Sequence, residues 1–297
     1  MRKGISLLVL GLVILCSSIP AFAADTTGIY VAGKGGVSFE NSNEKGNIGG
    51  GYANSSSMQY GQYTNSVQMM IQDLFSSSNH NSTNTSGTFG GAIGYDFQQY
   101  PFRVELEYLY RTQANSSFES SGISNYSYQS TFTNNSTGAT MSNGGSTTLA
   151  NAIAGFSRKD TIHTVMLNGY WDIVNYNGFV PYVGGGVGLA FHNVRDSANV
   201  AYTRANNAGS YGYGVSKNQT LTRFAWMASA GVAYKITANW AVDLGYRVIS
   251  FGDTGTTSLG AAPYTIASGV PTFVDAVSVK GGTTISNEVL LSLRYTF

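Results

Sequence analysis

The sequence predicts an all-β chain, an eight-stranded antiparallel up-and-down transmembrane β-barrel with four long extracellular loops and short periplasmic turns. Three observations predict it. Only 10% of the 297 residues are charged, against roughly 25% in an ordinary soluble domain. Eight segments alternate apolar and polar residues with the period of two that marks a strand with two unlike faces. The connections between those segments alternate between long and short.

The charge deficit speaks against a soluble enzyme, because soluble surfaces are kept in water by Lys, Arg, Asp and Glu. With 42% hydrophobic residues, 20 Tyr, 15 Phe and 3 Trp, the chain is too aromatic for a disordered polymer. The 37 Gly, with only 5 Pro, fit strands joined by polar connections.

Residues 1–23 read as a secretory signal peptide: Arg2 and Lys3, then an apolar run from Ile5 to Leu15, then the small-x-small signal Ala21-Phe22-Ala23. The run is shorter than the roughly 20 residues a spanning helix needs. Cleavage removes Cys16, so no disulfide forms, and leaves 24–297 as a single outer-membrane β-barrel domain. It also takes 2 of the 16 Lys and Arg, leaving 14 against 15 Asp and Glu. Nucleic acid is therefore not an expected partner, since no basic field exists to hold it.

The strands fall at 28–40, 87–97, 102–111, 161–173, 179–192, 223–236, 240–248 and 288–297. In FRVELEYLYR, Phe102, Val104, Leu106, Tyr108 and Tyr110 share one face and Arg103, Glu105, Glu107 and Arg111 the other. WAVDLGYRV sets Trp240, Val242, Leu244, Tyr246 and Val248 against Asp243 and Arg247. EVLLSLRYTF sets Val289, Leu291, Leu293, Tyr295 and Phe297 against Glu288 and Arg294. Adding Lys34, Glu40, Asp96, Asp172, Arg223 and Lys235, every strand charge takes the parity opposite the apolar residues, seven positive and seven negative. A Lys or Arg facing lipid at the midplane costs about 2–4 kcal/mol, so this parity suits lipid outside. Lys34, Arg103, Glu105, Glu107, Arg111, Asp243, Arg247 and Arg294 are then expected to form salt bridges across the lumen, because single buried charges cost several kcal/mol. Glycines within the strands, such as Gly94 and 184–186, give the tight curvature and the lumen room that eight strands require.

The short connections lie at 98–101, 174–178 and 237–239, and the long ones at about 41–86, 113–160, 193–222 and 253–285, the plan of an outer-membrane barrel. Aromatics such as Phe97, Phe102, Trp171, Phe179, Tyr234 and Trp240 gather beside the short turns, where a half-wet interface suits them. In the first long connection Val67, Met70, Ile71, Leu74 and Phe75 recur at helical spacing and suggest a short amphipathic helix. In the second, alternating Tyr126, Tyr128 and Phe132 suggest a strand extended above the membrane.

The run NGYWDI…NGFVPYVGGGVGLAF from Asn168 to Phe191, and the ending RYTF, resemble the eight-stranded outer-membrane β-barrel family that includes opacity-type surface antigens and the membrane domain of outer membrane protein A. The resemblance implies a barrel in the cell outer membrane, surrounded by outer-membrane lipid, whose loops contact hosts, other cells or antibodies. It also implies that Tyr295 and Phe297 form the signal read by the barrel-assembly machinery. The expected function is structural and surface-recognising, as in an adhesin or surface antigen; the alternative is a porin-like channel for small solutes.

Catalytic chemistry finds little support. His80, His163 and His192 have no metal-ligand spacing. His163 and His192 could both lie near the outer rim, with Asp160 or Asp196 to orient one of them. The Gly-rich Val183–Leu189 has no helix after it and no Lys placed for a phosphate. No enzyme activity, cofactor or metal is expected.

Overall fold

A computed structural model of the chain describes residues 28–75, 79–97, 99–204, 210–265 and 272–297; the signal peptide expected at 1–23 lies outside them. The described residues form twelve strands: β1 (Ile29–Tyr60), β2 (Tyr63–Phe75), β3 (Asn79–Phe97), β4 (Phe102–Arg111), β5 (Ala114–Asn134), β6 (Thr140–Asp172), β7 (Phe179–Arg204), β8 (Ser210–Lys235), β9 (Trp240–Asp253), β10 (Thr256–Thr265), β11 (Thr272–Gly281) and β12 (Thr283–Thr296). Every pairing between them is antiparallel.

Eight of these close on themselves. β1 pairs β12 from Tyr30↔Thr296 to Asn41↔Ile285, and on its other edge pairs β3 from Ile29↔Tyr95. From β3 the ladder runs through β4, β6, β7, β8 and β9 and returns to β12. The short turns are tight. Asn177 and Gly178 both have positive φ, with Tyr176 and Phe179 exchanging backbone hydrogen bonds of 2.9 and 3.0 Å. That is the two-residue turn whose twist matches a right-handed hairpin, and Asn-Gly is its preferred sequence.

The long connections are not loops. β1, β6, β7 and β8 run on past the ring, and the chain between them adds β2, β5, β10 and β11. The outer level therefore has its own order, β10, β11, β1, β2, β5, β6, β7, β8. Its last gap, between β8 and β10, is crossed by side chains: Lys217 Nζ donates to the Ser258 carbonyl at 3.1 Å and Gln219 donates to the Thr257 hydroxyl. The helix expected around 67–75 is instead the strand β2, whose backbone groups are taken up by β1 on one side and β5 on the other. A short apolar run does not separate helix from strand by its spacing, and two flanking ladders decided the matter. The strand anticipated at Tyr126, Tyr128 and Phe132 is present as part of β5.

Polarity inverts along the strands. In the lower level Val104, Leu106 and Tyr108 of β4, or Val183, Val187 and Leu189 of β7, face outward, with Arg103, Glu105, Glu107 and Arg111 buried inside. From Phe102 to Tyr110 this face runs about 26 Å along the strand, or about 20 Å along the normal at a tilt near 40°, close to the roughly 25 Å apolar band of such barrels. Higher up, the same outward parity carries exposed Asn41, Asn43, Asn193, Arg195 and Asn199, while Ile48, Phe118, Phe156, Val194, Val200 and Val277 are buried. Phe118 and Phe156 stack at 5.1 Å between centroids. Lipid outside demands an apolar exterior; water outside returns the apolar side chains to the core.

Candidate functional site

The interior of the lower level has two unlike walls. On β6 to β9, Ile162, Met166, Tyr170, Val180, Tyr182, Met227, Ile249 and Phe251 form a buried apolar cluster. The charges come mainly from β1, β4, β9 and β12, and they form a chain of alternating sign. Glu105 binds Lys34, and Lys34 Nζ also reaches Glu107 at 2.6 Å. Arg247 Nη1 meets Glu107 at 2.7 Å and Arg247 Nε meets Glu288 at 2.6 Å. Arg111 Nε closes the chain on Glu288 at 2.6 Å. Glu105 accepts further hydrogen bonds from the hydroxyls of Tyr170 at 2.7 Å and Tyr30 at 3.2 Å, and from the Asn168 amide at 3.2 Å. Low dielectric strengthens the paired groups of such a network and makes an unpaired one costly; among the described residues Arg247 Nη2 and Asn168 Oδ1 have no hydrogen-bond partner.

Two further pairs lie toward the turn side. Arg103 Nη2 meets Asp172 at 2.9 Å, with its guanidinium carbon 5.2 Å from the ring centroids of both Tyr170 and Tyr182. Arg294 meets Asp243 at 3.4 Å and lies over Tyr30. All eight residues singled out from the sequence are thus ion-paired. Glu288, counted only as one lumen-parity charge, is a hub: it serves both Arg111 and Arg247 and accepts from Ser38 Oγ at 3.0 Å. Lys235 departs from the lumen expectation. It has the inward parity but is exposed beside the turn, where the strand ends before the barrel can enclose it.

Room for this network comes from glycine. A Cβ at Gly94 would collide with the ring of Tyr30, and one at Gly186 with the amide of Asn168. Both displaced groups donate to Glu105.

Above the network, the outer level adds an ion pair that the strand alternation did not single out. Arg158 Nε meets Asp196 Oδ1 at 2.7 Å, with its Nη1 donating to Thr254 at 3.0 Å. The available signal was the alternation Val194, Asp196, Ala198, Val200 continuing past His192. The histidines are separated by the sheet. His192 is buried inside, with Nδ1 2.7 Å from Asp160 Oδ2 and Nε2 3.1 Å from the Phe251 carbonyl oxygen. His163 has the outward parity, with Nδ1 2.8 Å from the Tyr108 hydroxyl. Asp160 therefore orients His192 alone, and Asp196 is held by Arg158. Among the described residues no group of three or more His, Cys, Asp or Glu converges to hold a metal ion. Tyr295 packs against Trp240 at 4.9 Å and against Phe297 at 5.0 Å, and the Phe297 amide donates to the Ile29 carbonyl at 3.0 Å.

A ring of eight antiparallel strands, apolar outside and ion-paired within, and continued into a water-facing outer level, defines an outer-membrane β-barrel with a surface-exposed portion. The chain belongs to the surface antigen family, whose model matches residues 24–254. It is 27% identical over 294 residues to outer membrane protein PagN of Salmonella typhimurium, covering 93% of each chain. It is 31% identical over 100 residues to RC1281, a candidate adhesin of Rickettsia conorii, covering 34% of this chain and 38% of that one. Among solved structures it is similar to Neisserial surface protein A at 12% identity, covering 91% of this chain and 97% of that one with a TM-score of 0.38. The protein is located in the outer membrane.

Proposed function

We propose that this barrel anchors a recognition surface, presented by the outer level to a ligand on a host or another cell, and that it is neither an enzyme nor a channel. The observation that carries the reading is the pairing of the long connections into a sheet. Ordering these connections before any encounter lowers the entropy lost on binding, and their Tyr, Ser, Asn and Gly content suits contact with protein surfaces. Trimming the β1–β2 and β5–β6 hairpins above the ring, with β3 and β4 left intact, tests it: adhesion of expressing cells to a host-cell layer should fall, with the heat-shifted gel mobility of the folded barrel retained. Unchanged adhesion would leave only a structural role in the envelope. The porin-like alternative requires a water path through the Glu105–Lys34–Glu107–Arg247–Glu288–Arg111 chain, and that chain occupies the interior instead. Outer-membrane lipid faces the apolar band, and Tyr295 and Phe297 serve as the element read by the barrel-assembly machinery. Replacing Phe297 by Ala should lower the assembled, heat-shiftable fraction in cells.

A further inference from the structure

Above Gly50 and below the hairpin tips, β1, β2, β5 and β6 continue as a four-stranded flap. Among the described residues β1 pairs β11 only as far as Gly50, and β6 pairs β7 only from Ala150. Residues 51–72 and 122–149 contain no Asp, Glu, Lys or Arg. Register fixes which side chains share a face, because residues directly opposite in an antiparallel ladder point the same way. Met58 lies opposite Asn65, Asn65 opposite Phe132 and Phe132 opposite Met141, with Tyr60 opposite Tyr63. Met58, Tyr60, Tyr63, Phe132 and Met141 therefore share one face, and each is between 45 and 73% exposed. The reverse face carries exposed Ser57, Gln59, Ser66, Gln68 and Ser142.

The apolar face is the inner one. β1 alternates without a register shift from Tyr30 through Ile48 to Met58 and Tyr60, so these two continue the parity that is buried lower down. Along β5 the ladder with β2 is unshifted from Gly122 to Asn134, and the shift in the β5–β6 ladder at Ser124/Asn125 skips one residue of β6, so the alternation of β5 itself runs on from buried Phe118 to Phe132. This face looks over the barrel's own mouth. A neighbour in the same membrane meets the Ser and Gln face, whereas the apolar face is turned toward the axis of the barrel.

We propose that the occupant is the flap of a second copy held in an opposing membrane. A copy facing the other way presents its strands reversed, so two flaps pack face to face as an aligned sandwich about a two-fold axis. The partner must offer an apolar, uncharged sheet face, and the flap itself has that chemistry, with no charge to repel its copy. At roughly 200 Å² for a fully exposed large side chain, the five residues offer about 570 Å² per copy. Complete burial of these residues in a pair removes about 1,100 Å², just under the roughly 1,200–2,000 Å² of stable specific interfaces and within the range of weak, transient contacts. One such contact is weak, and many between two membranes act together. This pairing goes beyond recognition of a host ligand and needs none.

The test uses the full mature chain in lipid vesicles, with aggregation followed by light scattering. Vesicles carrying the protein should aggregate with one another and leave protein-free vesicles dispersed. A Tyr60→Ser, Met141→Ser variant should aggregate about tenfold more slowly or less, while Gln59→Ala, on the reverse face, aggregates like the parent. Heat-shifted gel mobility establishes that each variant is folded. No aggregation of the parent, recruitment of protein-free vesicles, or equal loss in the Gln59→Ala control would each overturn the proposal. Adhesion to host cells is a separate measurement, so either reading can fail alone.

Discussion

Replacing Glu288 by Ala should be among the most destabilising single changes in the barrel. Glu288 is fully buried and accepts from Arg111 Nε at 2.6 Å, Arg111 Nη2 at 3.2 Å, Arg247 Nε at 2.6 Å and Ser38 Oγ at 3.0 Å. The two arginines differ in what they keep. Arg247 retains Glu107 at 2.7 Å. Arg111 retains the Thr164 hydroxyl at 3.1 Å and the face of Phe251 at 4.4 Å, and Glu288 is its one ion-pair partner among the described residues. Breaking a buried pair from one side costs about 3–5 kcal/mol, because the surviving charge is stranded. The expected loss is therefore about 3–5 kcal/mol, mostly through Arg111. Replacing Arg111 and Glu288 together by Leu removes the stranded charge, and exchange of a buried pair for apolar groups is often neutral or better. The double variant should recover at least half of the loss. Urea unfolding of the refolded protein in vesicles, followed by tryptophan fluorescence, measures both. A loss below about 1 kcal/mol for Glu288→Ala, or a double variant as unstable as the single one, would mean that Arg111 is not a stranded buried charge once Glu288 is gone.

Other outcomes follow from the same geometry. Leu167→Arg, on the lipid-facing side of β6, should cost about 2–4 kcal/mol, whereas Ser197→Arg in the outer level should change stability by no more than about 0.5 kcal/mol, both by urea unfolding. Gly94→Val should push Tyr30 off Glu105 and cost about 1–3 kcal/mol, while Gly33→Ala, with nothing within 4 Å of the new methyl, should be near neutral. In planar bilayers the parent should give no stable single-channel steps; discrete, reproducible steps from the purified monomer would favour conduction.

The lower ring was legible in the sequence because its two faces meet opposite solvents, so that FRVELEYLYR sorts into rings and aliphatics against charges. The ion-pair partners were only partly legible. Parity places Glu107, Arg247 and Glu288 inside, but their convergence depends on the register of β4, β9 and β12 around a closed ring, which no local pattern encodes. The outer level was hidden for a different reason. Its inward positions are small or mixed, as in Val194, Asp196 and Ala198, and its outward positions are Arg195, Ser197 and Asn199. Charge thus falls on both faces, and the contrast that marks a lipid-facing strand disappears. In β2, apolar residues on both faces imitated helical spacing, and only the neighbouring strands made it a strand.

The long connections are hydrogen-bonded strands that continue the barrel into water. Amide hydrogen exchange of the folded protein in lipid reads out that pairing strand by strand. Backbone amides of 114–122, 151–160 and 193–203 should exchange slowly, with protection of the same kind as in 102–111, since each is paired in a ladder. Exchange of those segments at the rate of an unstructured chain, beside a protected lower ring, would contradict it.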